Sequence, residues 1–359
     1  MTRCAKCVLP AAEGPDETFA VGNTLDERGI CRYCRSYRPV VYQGEEALLQ
    51  ILDESRGKGR YDCIVNISGG RGSAYTLLSL VKDYKLRVLA VNYANPFTDP
   101  QAKKNIENMV RILGIDFHPF RLRRRIHERV LRNNFAALLK RPSPAMVPAI
   151  CIGCKIIWPT ILKIARSHGI RCIVNGGNPY EYTSFKKALL GIPVDADLKR
   201  TYWANFRGLA RETFQNPAFV RPSLLPVTLK GYLFSNPNAI GSRLMGRGIR
   251  FVDYFHFVPW ERNRVLNRIR SELDWDSPQN WHSDWRFDCQ IAHLKDYLYL
   301  KMLGVTEKDD FYAKLVREGQ ITREDALARL DQENRVPVEI LPSLFASLGL
   351  EWKDPWSGS

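Results

Sequence analysis

Residues 61–78 read YDCIVNISGGRGSAYTLL, and this stretch decides the fold that we expect. A run of β-branched and apolar residues stops at a turn rich in serine and glycine, and a helical pattern begins directly after the turn. We therefore predict a buried strand, a loop and a helix, in that order.

The loop of this stretch has the composition of a phosphate-binding turn. Gly69, Gly70 and Gly72 allow the backbone to turn sharply and to approach a ligand closely. Ser68 and Ser73 offer hydroxyl groups, and the helix that follows offers unpaired N–H groups at its positive end. A purely structural turn is the alternative. The sequence matches neither the G-x-x-x-x-G-K-S/T loop nor the G-x-G-x-x-G dinucleotide pattern.

The six residues Ser68-Gly69-Gly70-Arg71-Gly72-Ser73 resemble the S-G-G-x-D-S signature of the PP-loop ATP pyrophosphatase superfamily. The resemblance implies that the loop binds the pyrophosphate end of ATP, that Mg2+ takes part, and that the enzyme adenylates a carbonyl oxygen and releases pyrophosphate. Backbone N–H groups of the loop and the side chain of Arg71 would neutralise the leaving pyrophosphate. Gly72 stands where the family has an acidic residue, which removes a carboxylate expected near magnesium.

Further strands and helices alternate along the chain. Residues 87–93 and 115–120 read as strands, with a helix at 100–113 between them, and 171–175 reads as another strand. This order implies a parallel sheet with right-handed crossovers. The fold class that we expect is α/β, with a parallel sheet of the adenine nucleotide alpha-hydrolase-like (PP-loop) type, an N-terminal zinc ribbon and a C-terminal helical subdomain.

Ligands of such sheets bind beyond the carboxyl ends of the strands. The candidates there are Asn92, Tyr93, Gly176, Gly177, Asn178 and Glu181. Asn92 and Tyr93 would line an adenine and ribose pocket, with plain packing as the alternative for the tyrosine. Gly176 and Gly177 would form a further wall of the nucleotide crevice. Asn178 would contact substrate or magnesium, and a simple turn is the alternative.

Six of the nine cysteines form three C-x-x-C pairs. The first two pairs, Cys4 with Cys7 and Cys31 with Cys34, offer four thiolates in two knuckles, which is the tetrahedral ligand set of structural Zn2+. A short segment with so few core residues would need such a metal to fold. Four ordinary reduced thiols are the alternative.

The third pair, Cys151 and Cys154, opens a predicted helix at 156–167. Thiols at a helix N-terminus have a lowered pKa, which favours metal ligation or nucleophilic sulfur chemistry. With Cys289 the pair would supply three ligands to an iron-sulfur (4Fe-4S) cluster, and PP-loop thiolases that act on tRNA use such an arrangement. A second zinc, a catalytic thiol pair and the absence of any cofactor are the alternatives.

The chain has 53 basic and 38 acidic side chains and a net charge of +15. This excess favours a polyanionic partner such as nucleic acid, a nucleotide-linked sugar or an anionic membrane surface, and general solubility is the alternative. The sequence has neither a long apolar run nor a signal-peptide pattern. We therefore expect a cytoplasmic protein without membrane insertion.

Four segments are predicted. They are a zinc-ribbon-like knuckle segment at 1–42, a PP-loop ATP-binding α/β domain at 43–190, an arginine- and aromatic-rich insertion or cap at 191–258, and a helical subdomain at 259–359. The last segment has helical patterns at 291–303 and 309–318 and a helix capped at Thr322.

The double knuckle, the loop and the segment 319–327 together resemble the N-acetyl sugar amidotransferase group of PP-loop proteins, which works in surface-polysaccharide assembly. The resemblance implies a sugar or nucleotide-sugar substrate and ammonia from a glutaminase partner. Cys151 and Cys154 are outside that group's core pattern and favour ATP-dependent thiolation of a tRNA base or a metabolite, with a sulfur-donor protein. Because of Gly72, a non-catalytic nucleotide-binding partner is a third hypothesis. The oligomeric state is not predicted.

Overall fold

A computed structural model describes residues 2–11, 23–192, 198–278, 283–354 and 356, and for residues 198–202 it describes only the backbone. Residues 12–22 of the predicted knuckle segment and the end of the predicted C-terminal subdomain lie outside this range.

Five parallel strands form one sheet in the order β3-β2-β1-β4-β5. The strands are β1 Cys63–Asn66, β2 Val88–Tyr93, β3 Asp116–Phe120, β4 Cys172–Asn175 and β5 Arg250–Asp253. The prediction of an α/β fold with a parallel sheet is confirmed. The fifth strand falls within the segment 191–258, in which we recognised no strand pattern.

The register of the sheet places its central strands deep in the protein. Ile64 of β1 lies between Leu89 of β2 and Ile173 of β4, and all three side chains are buried. The chain crosses from β1 towards β2 on one side, whereas β4 pairs on the other side of β1. Ligands of open α/β sheets bind at such a reversal, so the loops that follow β1 and β4 border the expected crevice.

The described residues form fifteen α-helices in addition to short 3-10 turns. They are α1 Arg32–Arg35, α2 Glu45–Asp53, α3 Arg71–Lys82, α4 Pro100–Leu113, α5 Ile126–Lys140, α6 Trp158–Ser167, α7 Phe185–Leu189, α8 Leu198–Gln215, α9 Leu225–Leu233, α10 Ile240–Met245, α11 Arg262–Leu273, α12 Ile291–Leu303, α13 Glu307–Arg317, α14 Arg323–Glu333 and α15 Leu341–Ser347. Helices α3, α4 and α11 pack together on one face of the sheet, and α6 and α10 pack together on the other.

The C-terminal region is helical, as predicted. Helix α13 begins with a capping box in which the Thr306 side chain and Asp309 satisfy each other's backbone N–H groups. Thr322 caps α14 by accepting a hydrogen bond from the backbone N–H of Asp325 at 3.1 Å. No helix among the described residues has the length and the apolar composition needed to cross a membrane.

Candidate functional site

The glycine-rich loop connects β1 to the N-terminus of α3. Gly70 is the N-cap residue, and no side chain caps the helix. The first N–H groups of an α-helix have no partner within the helix. Within the loop, the Ser73 hydroxyl donates to the Gly70 carbonyl at 3.0 Å and accepts from the Ser68 N–H at 3.3 Å. A pre-formed loop with free donors at a helix N-terminus is suited to an anion.

Gly69 fixes the position of this loop against α4. Its φ is +86°, and a Cβ at this position would stand 2.3 Å from the carbonyl oxygen of Ala102. The Gly69 carbonyl accepts hydrogen bonds from Trp275 Nε1 at 2.8 Å and from Asn105 Nδ2 at 3.2 Å. Only glycine satisfies both the backbone conformation and the close approach.

Gly72 packs directly against Gly176, at the point where α3 meets the end of β4. A Cβ on Gly72 would stand 2.2 Å from the carbonyl oxygen of Gly176, and a Cβ on Gly176 would stand 2.5 Å from that of Gly72. Any side chain at position 72 would therefore collide with the backbone at Gly176. An aspartate at position 72 does not fit while Gly176 holds its place.

A cavity of about 430 Å³ opens beside the loop. It brings together these predicted residues: Ser68, Gly70, Arg71, Gly72, Ser73, Cys151, Cys154, Gly176, Gly177, Glu181 and Cys289. Four segments that are separate in sequence thus meet at the carboxyl edge of the sheet. The volume is in the range of small-molecule sites.

Asn92, Tyr93 and Asn178 are outside the lining of this cavity. The Asn92 side-chain amide donates to the carbonyl of Ile67 at 2.7 Å, which ties β2 to the start of the loop. The Asn178 Oδ1 accepts from the backbone N–H groups of Tyr180 and Glu181 and caps a 3-10 turn. The predicted contacts of these residues with adenine, ribose or substrate remain untested, and the structure gives the two asparagines roles in holding the backbone.

The Arg71 side chain is held in a buried network. Its guanidinium forms ion pairs with Asp284 and, at 3.3 Å, with Glu181, and only 3% of the side chain is exposed. The aromatic rings of Trp260, Trp285 and Phe311 surround the same group, with centroids 5.1, 5.6 and 5.2 Å from its central carbon. These partners already neutralise the charge of Arg71, although the residue still lines the cavity. Its role at the pyrophosphate stays a prediction.

Cys151 lies at the end of a chain of hydrogen bonds that crosses the cavity wall. Its sulfur is 2.9 Å from Nε2 of His127, and Nδ1 of the same ring is 2.9 Å from the hydroxyl of Tyr93. A hydrogen bond from Cys154, followed by the charge and hydrogen bond of His127, lowers the pKa of the Cys151 thiol although burial opposes this. Cys151 and His127 therefore have the features of an activated nucleophile. The thiol has a lowered pKa, the imidazole lies next to it, and the Tyr93 hydroxyl orients the imidazole.

The cysteine pair does not lie at an α-helix N-terminus as predicted. Cys151 precedes a 3-10 turn at Gly153–Lys155, and α6 begins only at Trp158. Gly153 permits the approach of His127, since a Cβ there would stand 2.4 Å from the imidazole ring. The lowered pKa thus comes from side-chain partners and not from a helix terminus.

Cys154 and Cys289 face the same cavity. Asn95 Nδ2 lies 3.2 Å from the Cys289 sulfur, and residue 289 pairs with Thr98 in an antiparallel bridge. Among the described residues, the metal-ligand group whose sulfur atoms all lie within 4.8 Å of one another is that of the four N-terminal cysteines, not that of Cys151, Cys154 and Cys289. The second zinc and the iron-sulfur cluster at these three thiols both stay predictions.

Two lysines contribute positive charge to the cavity. Lys155 and Lys295 both line it, and no carboxylate among the described residues forms an ion pair with either. Burial and the charge of Lys295 lower the pKa of Lys155. Unlike Arg71, these cations are available to an anionic ligand.

Asp288 places a carboxylate directly over the loop. Its Oδ1 would lie 3.7 Å from a Cβ on Gly70. Burial raises its pKa, and a hydrogen bond with Ser68 opposes that shift. The Asp288 carbonyl accepts from the Asp99 N–H at 3.2 Å, which fixes this segment to the loop after β2. The carboxylate missing at position 72 thus has a counterpart from a distant part of the chain.

The four N-terminal cysteines form a compact buried group. Their sulfur atoms lie within 4.8 Å of one another, with 3.9 Å between Cys4 and Cys34 and 3.8 Å between Cys7 and Cys31. Four thiolates at about 2.3 Å from a tetrahedral centre are about 3.8 Å apart. The donor set and its spacing fit a single tetrahedral metal ion.

Sequence reasoning missed His127, Lys155, Lys295 and Asp288. His127 lies in a basic amphipathic stretch whose charge is ordinarily explained by a solvated helix face. Asp288 precedes the cysteine that we singled out, but its proximity to the loop depends on a contact between residues about 200 positions apart. Nothing local in the sequence marks either residue.

Comparison with models of protein families and with characterised proteins gave no match. Similar solved structures include NMN synthetase from Francisella tularensis, at 14% identity over 66% of this chain and 97% of that chain, with a TM-score of 0.28. U34-tRNA thiolase NcsA from Methanococcus maripaludis with its 4Fe-4S cluster has 12% identity over 99% and 98%, with a TM-score of 0.34. NH3-dependent NAD synthetase from Campylobacter jejuni has 12% identity over 65% and 96%, with a TM-score of 0.28. These neighbours are PP-loop ATP pyrophosphatases, but TM-scores this low support no conclusion about the activity of this chain.

Proposed function

We propose that this protein is an ATP-dependent enzyme that adenylates an acceptor oxygen, releases pyrophosphate and then replaces the activated oxygen by nitrogen, with AMP as the leaving group. A sugar or nucleotide-sugar is the acceptor that the sequence resemblance favours. The observation that carries the proposal is a glycine-rich loop with free N–H groups at a helix N-terminus, lining a cavity at the switch point of a parallel sheet.

Different residues of the cavity would have different roles in such a reaction. The N–H groups at the start of α3 would receive the pyrophosphate end of ATP, and Lys155 and Lys295 would neutralise the charge that develops there. Asp288 and the loop hydroxyls would hold Mg2+, and the ion would supply positive charge that offsets the charge of the phosphates. Arg71 is then a positioning residue that holds Glu181 and Asp284 beside the helix N-terminus.

Sulfur transfer is the second candidate function. The observation that favours it is the low-pKa thiol of Cys151 next to His127, in the same cavity as the loop. A thiolate there is a nucleophile able to carry sulfur towards an activated substrate. The nitrogen reaction needs no such nucleophile because ammonia attacks directly.

We also propose that Cys4, Cys7, Cys31 and Cys34 hold structural zinc, and that the chain divides into the four segments given above. The contacts of the cysteine group favour the zinc assignment, because Arg317 donates to the sulfur of Cys34 at 3.3 Å. Hydrogen bonds to metal-bound thiolates are typical outer-shell support of a metal site.

Pyrophosphate and AMP formation test the shared first step. We expect both products when purified protein is given ATP, Mg2+ and a nucleotide-sugar with ammonium, and we expect Lys295→Met to reduce their rate about a hundredfold. Lys301→Met is the matched control, since this lysine lies on the same helix outside the cavity lining. Protein that binds ATP but forms no AMP with any acceptor would support the non-catalytic hypothesis.

Cys151→Ala distinguishes nitrogen from sulfur transfer. Under the nitrogen proposal this variant keeps both AMP formation and product formation. Under the sulfur alternative it forms AMP but loses the thiolated product when tRNA and a sulfide source are supplied. Loss of both would mean that the thiol is needed for adenylation itself and would refute this division of roles.

A further inference from the structure

An exposed apolar surface covers the helices of the arginine-rich segment. Of the sixteen large apolar side chains that are exposed among the described residues, nine lie between positions 203 and 244. They are Trp203, Phe206, Phe214, Val220, Leu225, Leu229, Leu233, Ile240 and Leu244. Soluble proteins rarely expose apolar side chains in such concentration without a partner.

These side chains follow the helical repeat. Trp203, Phe206 and Phe214 recur along one face of α8, and Leu225, Leu229 and Leu233 recur every four residues along α9. Phe214 is 89% exposed and Leu244 72% exposed. Packing between the described residues does not explain why these helices expose their apolar faces.

Ring contacts join the helices into one surface. The rings of Trp203 and Phe206 are 6.2 Å apart, and the ring of Phe206 is 6.4 Å from that of Tyr232 on α9. Helices α9 and α10 also contact each other. We call the exposed side chains of α8, α9 and α10 the apolar–basic surface.

Its charge is almost entirely positive. Between Trp203 and Arg250 the sequence has seven basic residues and a single acidic residue, Glu212. Glu212 is buried and accepts a hydrogen bond from the Ser143 hydroxyl at 2.6 Å. Arg207, Arg243 and Arg247 are exposed beside the apolar side chains. The exposed charged side chains that are described on α8, α9 and α10 are therefore all basic.

We propose that the apolar–basic surface docks on an anionic membrane. Exposed leucine and tryptophan side chains enter the boundary between headgroups and acyl chains, and interspersed arginines attract anionic lipid headgroups. RNA would use the arginines and rings but gives no reason to expose Leu225, Leu229 and Leu244, which neither stack on bases nor bind phosphate. A second copy of the chain would bring two positive surfaces together.

Helix α9 lies between this surface and the segment that carries Cys151. Its buried residue Gly231 packs on Ile152, since a Cβ there would stand 3.6 Å from Ile152 Cδ1, and Ile152 is the residue after Cys151. The proposal does not depend on which reaction the cavity catalyses.

Vesicle flotation tests the proposal with the full chain. We expect the protein to float with vesicles of phosphatidylcholine and phosphatidylglycerol and not with vesicles of phosphatidylcholine alone. The double variant Leu229→Ser/Leu244→Ser should lower the vesicle partition coefficient at least about tenfold. Arg243→Gln and Arg247→Gln should each lower it about fivefold, an effect that added salt removes.

Val338→Ser is the matched control, because Val338 is 48% exposed on a different part of the chain. It should float like the unmodified protein. The proposal is overturned if the double leucine variant floats as well as the unmodified protein, or if that variant instead loses binding to RNA or loses self-association in sedimentation. All variants change exposed side chains, so unchanged thermal unfolding will show that the fold is intact.

Discussion

Replacing Gly72 by alanine places a methyl group 2.2 Å from the carbonyl oxygen of Gly176. An ordinary contact begins at about 3.4 Å, so the two backbones must separate by about 1.2 Å. Neither side can yield easily, because Gly176 directly follows β4, which pairs on both sides, and Gly72 lies in the first turn of α3. The substitution therefore strains the loop itself.

The expected loss of stability is about 1–3 kcal/mol, as for other insertions into tightly packed sites. Unfolding entropy of about 2.1 cal/mol/K per residue over 359 residues gives about 0.75 kcal/mol/K. The unfolding temperature should then fall by about 1–4 °C. The effect on chemistry should be larger, because a misplacement of about 1 Å at a reacting centre costs about a hundredfold in rate.

Thermal unfolding and AMP formation measure the two effects. Gly177→Ala is the matched control for stability, because a Cβ at that position meets nothing within 4 Å; the rate is compared with that of the unmodified protein, because Gly177 lines the cavity. Gly176→Ala should behave like Gly72→Ala, since its added methyl group meets the same contact from the other side. If Gly72→Ala were as stable as Gly177→Ala and formed AMP at the rate of the unmodified protein, the steric explanation would be refuted.

Three further predictions concern side chains around the site and the cysteine group. Cys151 should react with iodoacetamide at pH values well below the usual thiol pKa, because a lowered pKa keeps the thiolate present as the pH falls. His127→Leu should shift the pH dependence of this alkylation to higher pH. Mass spectrometry measures the extent of alkylation at each pH. Arg71→Met should lower the free energy of unfolding by about 1.5–3 kcal/mol in denaturant unfolding, because it removes one of the two arginines that pair with the buried Asp284 and leaves only Arg262. Removal of metal by a chelator should lower the unfolding temperature of the protein, and Cys31→Ser should abolish this effect of the chelator. An unfolding temperature unaffected by chelation would contradict a metal at the four N-terminal cysteines.

Local pattern was sufficient to predict the first four strands and the loop. Strands β1, β2 and β4 are short runs of apolar and β-branched residues bounded by polar or glycine residues, and both signals are contained within about ten positions. Strand β3, with the sequence DFHPF, has apolar residues but no β-branched one. The strand β5, Arg250–Asp253, was missed because it has only two apolar residues between two charged ones and follows a segment rich in arginine and glycine. Only pairing with β4 identifies it as a strand.

The environment of Arg71 shows what local pattern cannot supply. The loop motif predicted its place beside a phosphate site, but its charge is neutralised by residues 110 and 213 positions further along the chain. Those partners come from the turn after β4 and from the segment before α12. A role for the side chain therefore depends on tertiary contacts, whereas the role of the loop backbone depends only on its own conformation.

Tertiary contacts also connect the N-terminal cysteine group to the C-terminal helices and, through them, to the loop. Arg317 and Arg323 donate to the cysteine group, the former to the sulfurs of Cys34 and Cys7 and the latter to the carbonyls of Cys4 and Cys7. One turn earlier on the same helix α13, Lys314 donates to the carbonyls on either side of Glu181, which pairs with Arg71. A continuous set of contacts thus joins the cysteine group to the loop. Metal bound to the cysteines would stabilise the wall that holds Arg71, so its loss should disturb the cavity although the two sites share no residue.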